Sequence, residues 1–342
     1  MVKRIMLALS AVALTAALII FGADISDGIR CSLSVCGEVV IPSLFPFMVL
    51  ANFIAAVGAS DTVGRPLSHI TSRVFALPKC TAAPILLSYI SGYPVGASLA
   101  QRLHSEGRLC KSDAERMLTF TVNSSPAMSV FAVGVGMLGS KEYGILLCAV
   151  HTVASVLTGV IFCRVILRRK KPFQSEKAEI SSQPRQNIAD AFVNATADAS
   201  SAMLKICGCV ILFAGIVAAV DGIEFISPLL EVTVGCRYAA KHSLPLTAAT
   251  LGFGGLSVLM QVLTMSKGLI RPHILLASRI AHAALSYLLC GAAIKLLPEA
   301  VIPVFSTGVP SFSSVTSLTA PVSAALMLLS AVVMWSAKSV KN

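Results

Sequence analysis

Two polar interruptions within charge-free apolar runs are where this sequence could do chemistry. The first is Ser91-Gly92-Tyr93-Pro94, inside a window from Cys80 to Gln101 that holds no charged residue. The second is Asn123-Ser124-Ser125-Pro126, inside the equally charge-free run 117–140. Glycine costs a helix interior about 1 kcal/mol and proline about 3 kcal/mol. Backbone that leaves helical geometry at membrane depth survives only where protein buries it or where it lines a cavity. Such breaks free N–H groups at half-helix N-termini, and with hydroxyls and an amide alongside they suit a carboxylate or another polar solute. Ser91, Gly92, Tyr93, Asn123, Ser124 and Ser125 are therefore the candidate substrate-binding residues, expected to meet near the membrane midplane. Gln101 and Gln261, at the ends of two such windows, are further candidates. The competing reading is packing of helix on helix through small polar side chains.

The elements that must position these residues follow from composition. Of 342 residues, 56% are hydrophobic and 13% charged, and mean hydropathy is +0.82. That excludes an ordinary soluble domain and predicts an all-α polytopic membrane protein. The net charge of +11 sits mostly in short loops and one linker beside apolar segments. It reads as cytoplasmic flanks facing a lipid bilayer rather than a nucleic-acid surface, and it favours an anionic solute. Ten cysteines are scattered, many in apolar segments, and Cys207-Gly-Cys209 has no histidine pair at zinc-ligand spacing. No metal or cofactor is expected. His151 and His282 lie in apolar runs and are candidates by that placement. No Ser/His/Asp set, carboxylate pair or H-E-x-x-H helix accompanies them, so an enzyme is not expected.

Crossings are read at 5–23, 39–60, 117–140 and 143–163, and beyond the linker at 202–220, 273–297 and 317–336. Ile41-Pro-Ser-Leu-Phe-Pro-Phe47 predicts a broken or delayed helix start. Ser112-x-x-Glu115 reads as a capping box. Between Arg164 and Arg185 seven basic residues face two acids, marking a flexible cytoplasmic linker. With the N-terminus and this linker on one side, an even number of crossings separates them. The window 80–101 then crosses twice or not at all, and a re-entrant hairpin satisfies this.

A second charge-free window, Ser243–Ser266, breaks at Gly252-Phe-Gly-Gly255 after a polar loop, Asp221–His242. At an offset of 160 it pairs Gly92 with Gly252, Tyr93 with Phe253 and Gln101 with Gln261. The expected plan is two inverted repeats with broken helices and re-entrant hairpins. Its parts are an N-terminal transmembrane helix (1–29), a first repeat (30–167), a basic linker (168–189), a second repeat (190–297), and a polar loop with a C-terminal helix (298–342). A hairpin at 243–266 leaves Lys267 and Arg271 outside, against the positive-inside tendency, whereas a spanning segment places them inside.

Ile41-Pro-Ser-Leu-Phe-Pro-Phe47, Ser91-Gly-Tyr-Pro-x-Gly-Ala97, Ala114-Glu-Arg116, Phe120-Thr-x-Asn-Ser-Ser-Pro126 and Glu231-Val-Thr-x-Gly235 together resemble sporulation integral membrane proteins of the YlbJ (SpoVV) type. Their repeats are called nucleoside-recognition or gate domains. The resemblance runs from about residue 30 to 297. It implies transport of dipicolinic acid, a small anionic solute, from the mother cell across the outer forespore membrane of a sporulating bacterium. A nucleoside or other metabolite carrier, or a non-transporting spore-envelope assembly protein, are the alternatives. The second window departs from the family pattern in its glycine-rich break without proline.

Overall fold

A computed structural model describes residues 19–168, 187–219 and 224–296, with isolated positions before residue 19. These residues are helical, with no strand among them, and five helices are long and apolar enough to cross a membrane. The chain is an all-α integral membrane protein.

Helix α1 (Gly22–Ala56) runs 35 residues without a loop. The polar stretch 24–38, between the crossings read at 5–23 and 39–60, is helical because its charges fall on exposed positions of the outer turns. A π-turn at Cys36–Val40 immediately precedes Pro42, and Pro46 lies inside the helix beyond it. The extra residue per turn re-routes the backbone bonds that proline cannot make, so the prolines neither break nor delay the helix. The crossing read at 39–60 thus belongs to a helix that already begins at Gly22. Whether 5–23 crosses by itself lies outside the described residues, as do linker residues 169–186 and the segment 297–342.

Helix α2 (Ser60–Val74) leads to α3 (Ala82–Ser91) and α4 (Val95–Ser105), which fold back on each other as a hairpin. At its base the Cys80 thiol donates to the Arg108 carbonyl at 3.4 Å, so both ends emerge together. The expected hairpin is thus present on direct geometry. Next come α5 (Lys111–Leu118), an extended stretch 121–125, α6 (Ala127–Leu138) and α7 (Lys141–Ile166). Cys110 stands at the N-cap of α5 and no side chain caps it, because Glu115 is engaged elsewhere. The capping box does not form.

Helix α8 (Ile188–Ala219) lies antiparallel against α1: Gly28 meets Ala214 and Ala218 near one end, and Phe53 meets Phe192 at 5.9 Å near the other. The expected loop 221–242 instead folds inward as α9 (Ser227–Leu230) and α10 (Val232–Ala240), with Glu231 extended between them. Helices α11 (Leu244–Phe253) and α12 (Gly255–Ser266) then run on as one span, interrupted by Gly254 and Gly255 at φ +80° and +78°. Helix α13 (Pro272–Leu296) completes the described chain.

The second window is therefore a broken spanning segment and not a hairpin. The backbone N–H and guanidinium of Arg271 bind the Glu115 carboxylate at 2.8–3.0 Å, placing the far end of α12 beside the base of the first hairpin. That is the side on which the basic loops gather, so the positive-inside tendency holds after all. The offset of 160 also falls. In chain order the counterpart of α11–α12 is α5–α6, since each precedes a long helix (α13 and α7).

Candidate functional site

The hairpin tip forms because α3 ends on a glycine at φ +94°, a conformation that favours glycine over any L side chain. A Cβ at Gly92 would stand 2.8 Å from a Leu44 methyl and 3.5 Å from the Ser125 Cβ. The tip is thus pressed between α1 and the second interruption. Ser91 is buried, with its hydroxyl 3.4 Å from the Phe47 carbonyl. Tyr93 is buried, and its hydroxyl donates to the Leu251 carbonyl of α11 at 2.9 Å, tying the tip to the second half of the chain.

The stretch 121–125 is extended because its polar side chains serve its own backbone. Asn123 donates from Nδ2 to the Phe120 carbonyl at 2.8 Å, and its Oδ1 is buried without a partner. Ser124 donates its backbone N–H to His151 Nε2 at 3.0 Å, and its hydroxyl lies 2.7 Å from that of Ser129. The Ser125 hydroxyl accepts the Met128 N–H at 3.2 Å, capping the first turn of α6. Six of the expected residues, Ser91 to Tyr93 and Asn123 to Ser125, therefore belong to two interruptions that meet. Gln101 on α4 has a buried Oε1 without a partner, and Gln261 on α12 is buried and donates to Ser257 at 3.3 Å. No hydrogen bond ties either glutamine to the six.

Sequence reasoning missed the most consequential side chain, Arg279 of α13. It is fully buried and reaches the same interruption: Nη2 donates to the Thr119 carbonyl at 2.7 Å and Nη1 to that of Val122. Nη1 also lies 3.1 Å from His282 Nδ1, while His282 Nε2 lies 3.1 Å from the His151 carbonyl. These partners assign the His282 proton to Nε2. The two imidazoles face each other at 4.4 Å between centroids. The Nε–H of Arg279 is buried without a partner, and none of the ion pairs among the described residues involves this arginine. The signal was present in the sequence, because an arginine in an otherwise apolar run is a functional candidate by itself.

The second half has its own meeting of interruptions. A Cβ at Gly255 would stand 3.0 Å from the Leu230 carbonyl and 3.1 Å from the Glu231 nitrogen. Glu231 is fully buried, and its Oε2 accepts the Val234 N–H at 2.8 Å, capping α10. Among the described residues, no group of three histidine, cysteine, aspartate or glutamate side chains is placed to hold a metal ion.

This arrangement suits a small anion chemically. A buried guanidinium that binds only neutral groups carries an uncompensated charge, and burying one costs several kcal/mol unless it is paired. A carboxylate reaching the hydroxyls of Tyr93 and Ser124 beside Arg279 would supply the missing charge.

The Gate family matches residues 38–141, with the description nucleoside recognition. That segment covers α3, α4 and the stretch 121–125, so both interruptions of the first half lie inside it. The chain is also similar to "Sporulation integral membrane protein YlbJ" of Bacillus subtilis (strain 168), at 27% identity with 68% of each chain covered. No solved structure matches. The resemblance read from the five motifs holds, and four of those motifs fall within the Gate segment.

Proposed function

We propose that this protein is a membrane carrier for a small dicarboxylate during sporulation, with dipicolinic acid as the solute. The observation that carries the reading is Arg279, a fully buried cation that no carboxylate among the described residues neutralises. Dipicolinate is a flat ring with two carboxylates. One would meet the guanidinium, and the ring would lie against Tyr93 beside Asn123 and Ser124. A charge-assisted hydrogen bond of this kind contributes about 1.5–3 kcal/mol. The relative's name supports a role in sporulation, and the family resemblance supports movement from the mother cell across the outer forespore membrane. Broken helices support a carrier over a static scaffold, because the two halves of the chain read as inverted counterparts about α7 and α13, with His151 facing His282.

A nucleoside carrier is the second reading, and the description of the Gate family favours it. A neutral nucleoside would leave Arg279 uncompensated, which is why the anion is preferred. Proteoliposomes offered labelled dipicolinate, nucleosides and simple dicarboxylates side by side test the proposal. Uptake of dipicolinate, competed by dicarboxylates and not by nucleosides, is expected. Preference for nucleosides overturns the solute, and no uptake of any of them points to an assembly protein.

A further inference from the structure

The anion site accounts for Arg279, but Glu231 lies apart from it. This carboxylate is fully buried, and although Oε2 caps α10, Oε1 has no partner. It lines a cavity of about 220 Å³ between α1, α8 and the start of α10. The walls are mostly apolar, and one of them, Arg237, is exposed, so the cavity reaches the surface of the protein. An ionised carboxylate is costly in such apolar surroundings even with the helix-terminal N–H groups that serve it. A carboxyl carrying a proton costs less, because the charge is gone.

We infer that Glu231 is a proton-binding site that couples solute movement to a proton entering through this cavity. The inference rests on the carrier reading and names its coupling ion. The titratable and charged groups facing Glu231 are few. They are Cys31 and Cys36 of α1, Cys236 and Arg237 of α10, and Tyr93 of the first hairpin tip. Against Leu230 and Glu231 the break between α11 and α12 presents a glycine, Gly255, and no charge. Arg237 is the one fixed charge among these, and it disfavours a metal cation. Side-chain oxygens in the lining are also few. Besides Glu231 there are the hydroxyls of Ser32 and Thr233, and that of Ser32 is already donated to the Ile29 carbonyl at 2.8 Å. A proton needs a single oxygen. It passes from water at the cavity mouth to Oε1 and returns to water when the site opens on the other side, with no other bond made or broken. Tyr93 of the anion site donates to Leu251 of α11, and the break that ends α11 packs against the Glu231 nitrogen at Gly255, so the two sites share one element. Neutralising Glu231 as the anion binds keeps the buried net charge from swinging.

The test uses the full-length protein in proteoliposomes with labelled dipicolinate. For the wild type, an imposed pH gradient should raise accumulation several-fold over equilibrated vesicles, while solute counterflow should run without any gradient. Glu231→Gln mimics the protonated group, so counterflow should persist and the gradient-driven rise should disappear. A Glu231→Gln variant that still accumulates several-fold with the gradient overturns the inference, as does one that is monodisperse but has lost counterflow. If that variant does not fold, pH-dye recording of the wild type decides: proton movement with the solute supports the inference, and its absence overturns it. Wild-type counterflow without any response to the gradient sinks the coupling alone. Absence of counterflow in the wild type sinks the carrier reading and the coupling with it.

Discussion

Arg116 and Arg279 are both buried within helices that border the same extended stretch, and they end very differently. Arg116 is an enclosed structural clamp. It donates to Asp113 at 2.9 Å and to the carbonyls of Phe75, Ala76 and Cys163 at 2.8–3.0 Å, joining α5 to the end of α2 and to α7. Arg279 also collects carbonyls, those of Thr119 and Val122, which the end of α5 leaves without helical partners. Each arginine leaves its Nε–H without a partner, so the difference is the carboxylate. Arg116 has its counter-ion in its own helix, three residues away, whereas the groups around Arg279 are neutral. A cation that is only structural is normally neutralised by the fold that buries it. One that is not, like Arg279, is what the proposed anion would neutralise.

The largest expected effect breaks the paired member. Arg116→Ala leaves the Asp113 charge buried without Arg116 and strips three carbonyls of their donor, costing about 3–5 kcal/mol. Loss of monodispersity or a collapse of the thermal unfolding midpoint is the expected result, with or without solute. A stable Arg116→Ala protein would remove the contrast between clamp and site.

A smaller effect sharpens the unpaired member. Ser124→Ala removes a hydroxyl beside Tyr93 but keeps the backbone N–H that serves His151, and it is a cleaner change than Ser125→Ala, which also loses a helix cap. Dipicolinate affinity should fall by about tenfold, matching one hydrogen bond to a charged group, with little change in unfolding. Isothermal titration or flow dialysis measures it.

The smallest effect calibrates the pair against an exposed one. Glu115 and Arg271 lie outside the spanning segments. Partial burial pulls the Glu115 carboxyl up, but the hydrogen bonds and charge of Arg271 outweigh it and hold the group below its ordinary value. A lowered folded-state value means this pair contributes stability above the usual glutamate range and loses it as pH falls through the folded value. Arg271→Gln should therefore lower the unfolding midpoint slightly near pH 7, and the difference from wild type should vanish on acidification below about pH 4. A difference that grows with acid would contradict the assignment.

Much of this was legible in the sequence, and the failures have physical causes. The breaks at Gly92 and at 123–125 were legible because glycine, proline and clustered polar residues are expensive in an apolar helix. The role of the second window was not. Gly252-Phe-Gly-Gly255 resembles the first tip locally, but whether two half-helices fold back or run on depends on what packs beside them. The stretch 24–38 misled because charged residues look like a loop when helix exposure is unknown. Glu231 stands in a family motif inside a polar stretch, and one carboxylate among polar residues says nothing of its depth. Arg279 stood in an apolar run next to His282, and attention to the histidine hid the larger charge.

The most direct test of the account is dipicolinate binding to Arg279→Gln, measured alongside its thermal unfolding. Glutamine removes the charge and, being shorter, also gives up the guanidinium's reach to the carbonyls of the break, so the unfolding measurement reads that structural loss separately. The account predicts a folded protein whose affinity is lower by about tenfold to a hundredfold. A folded Arg279→Gln protein that binds dipicolinate as the wild type does would contradict it.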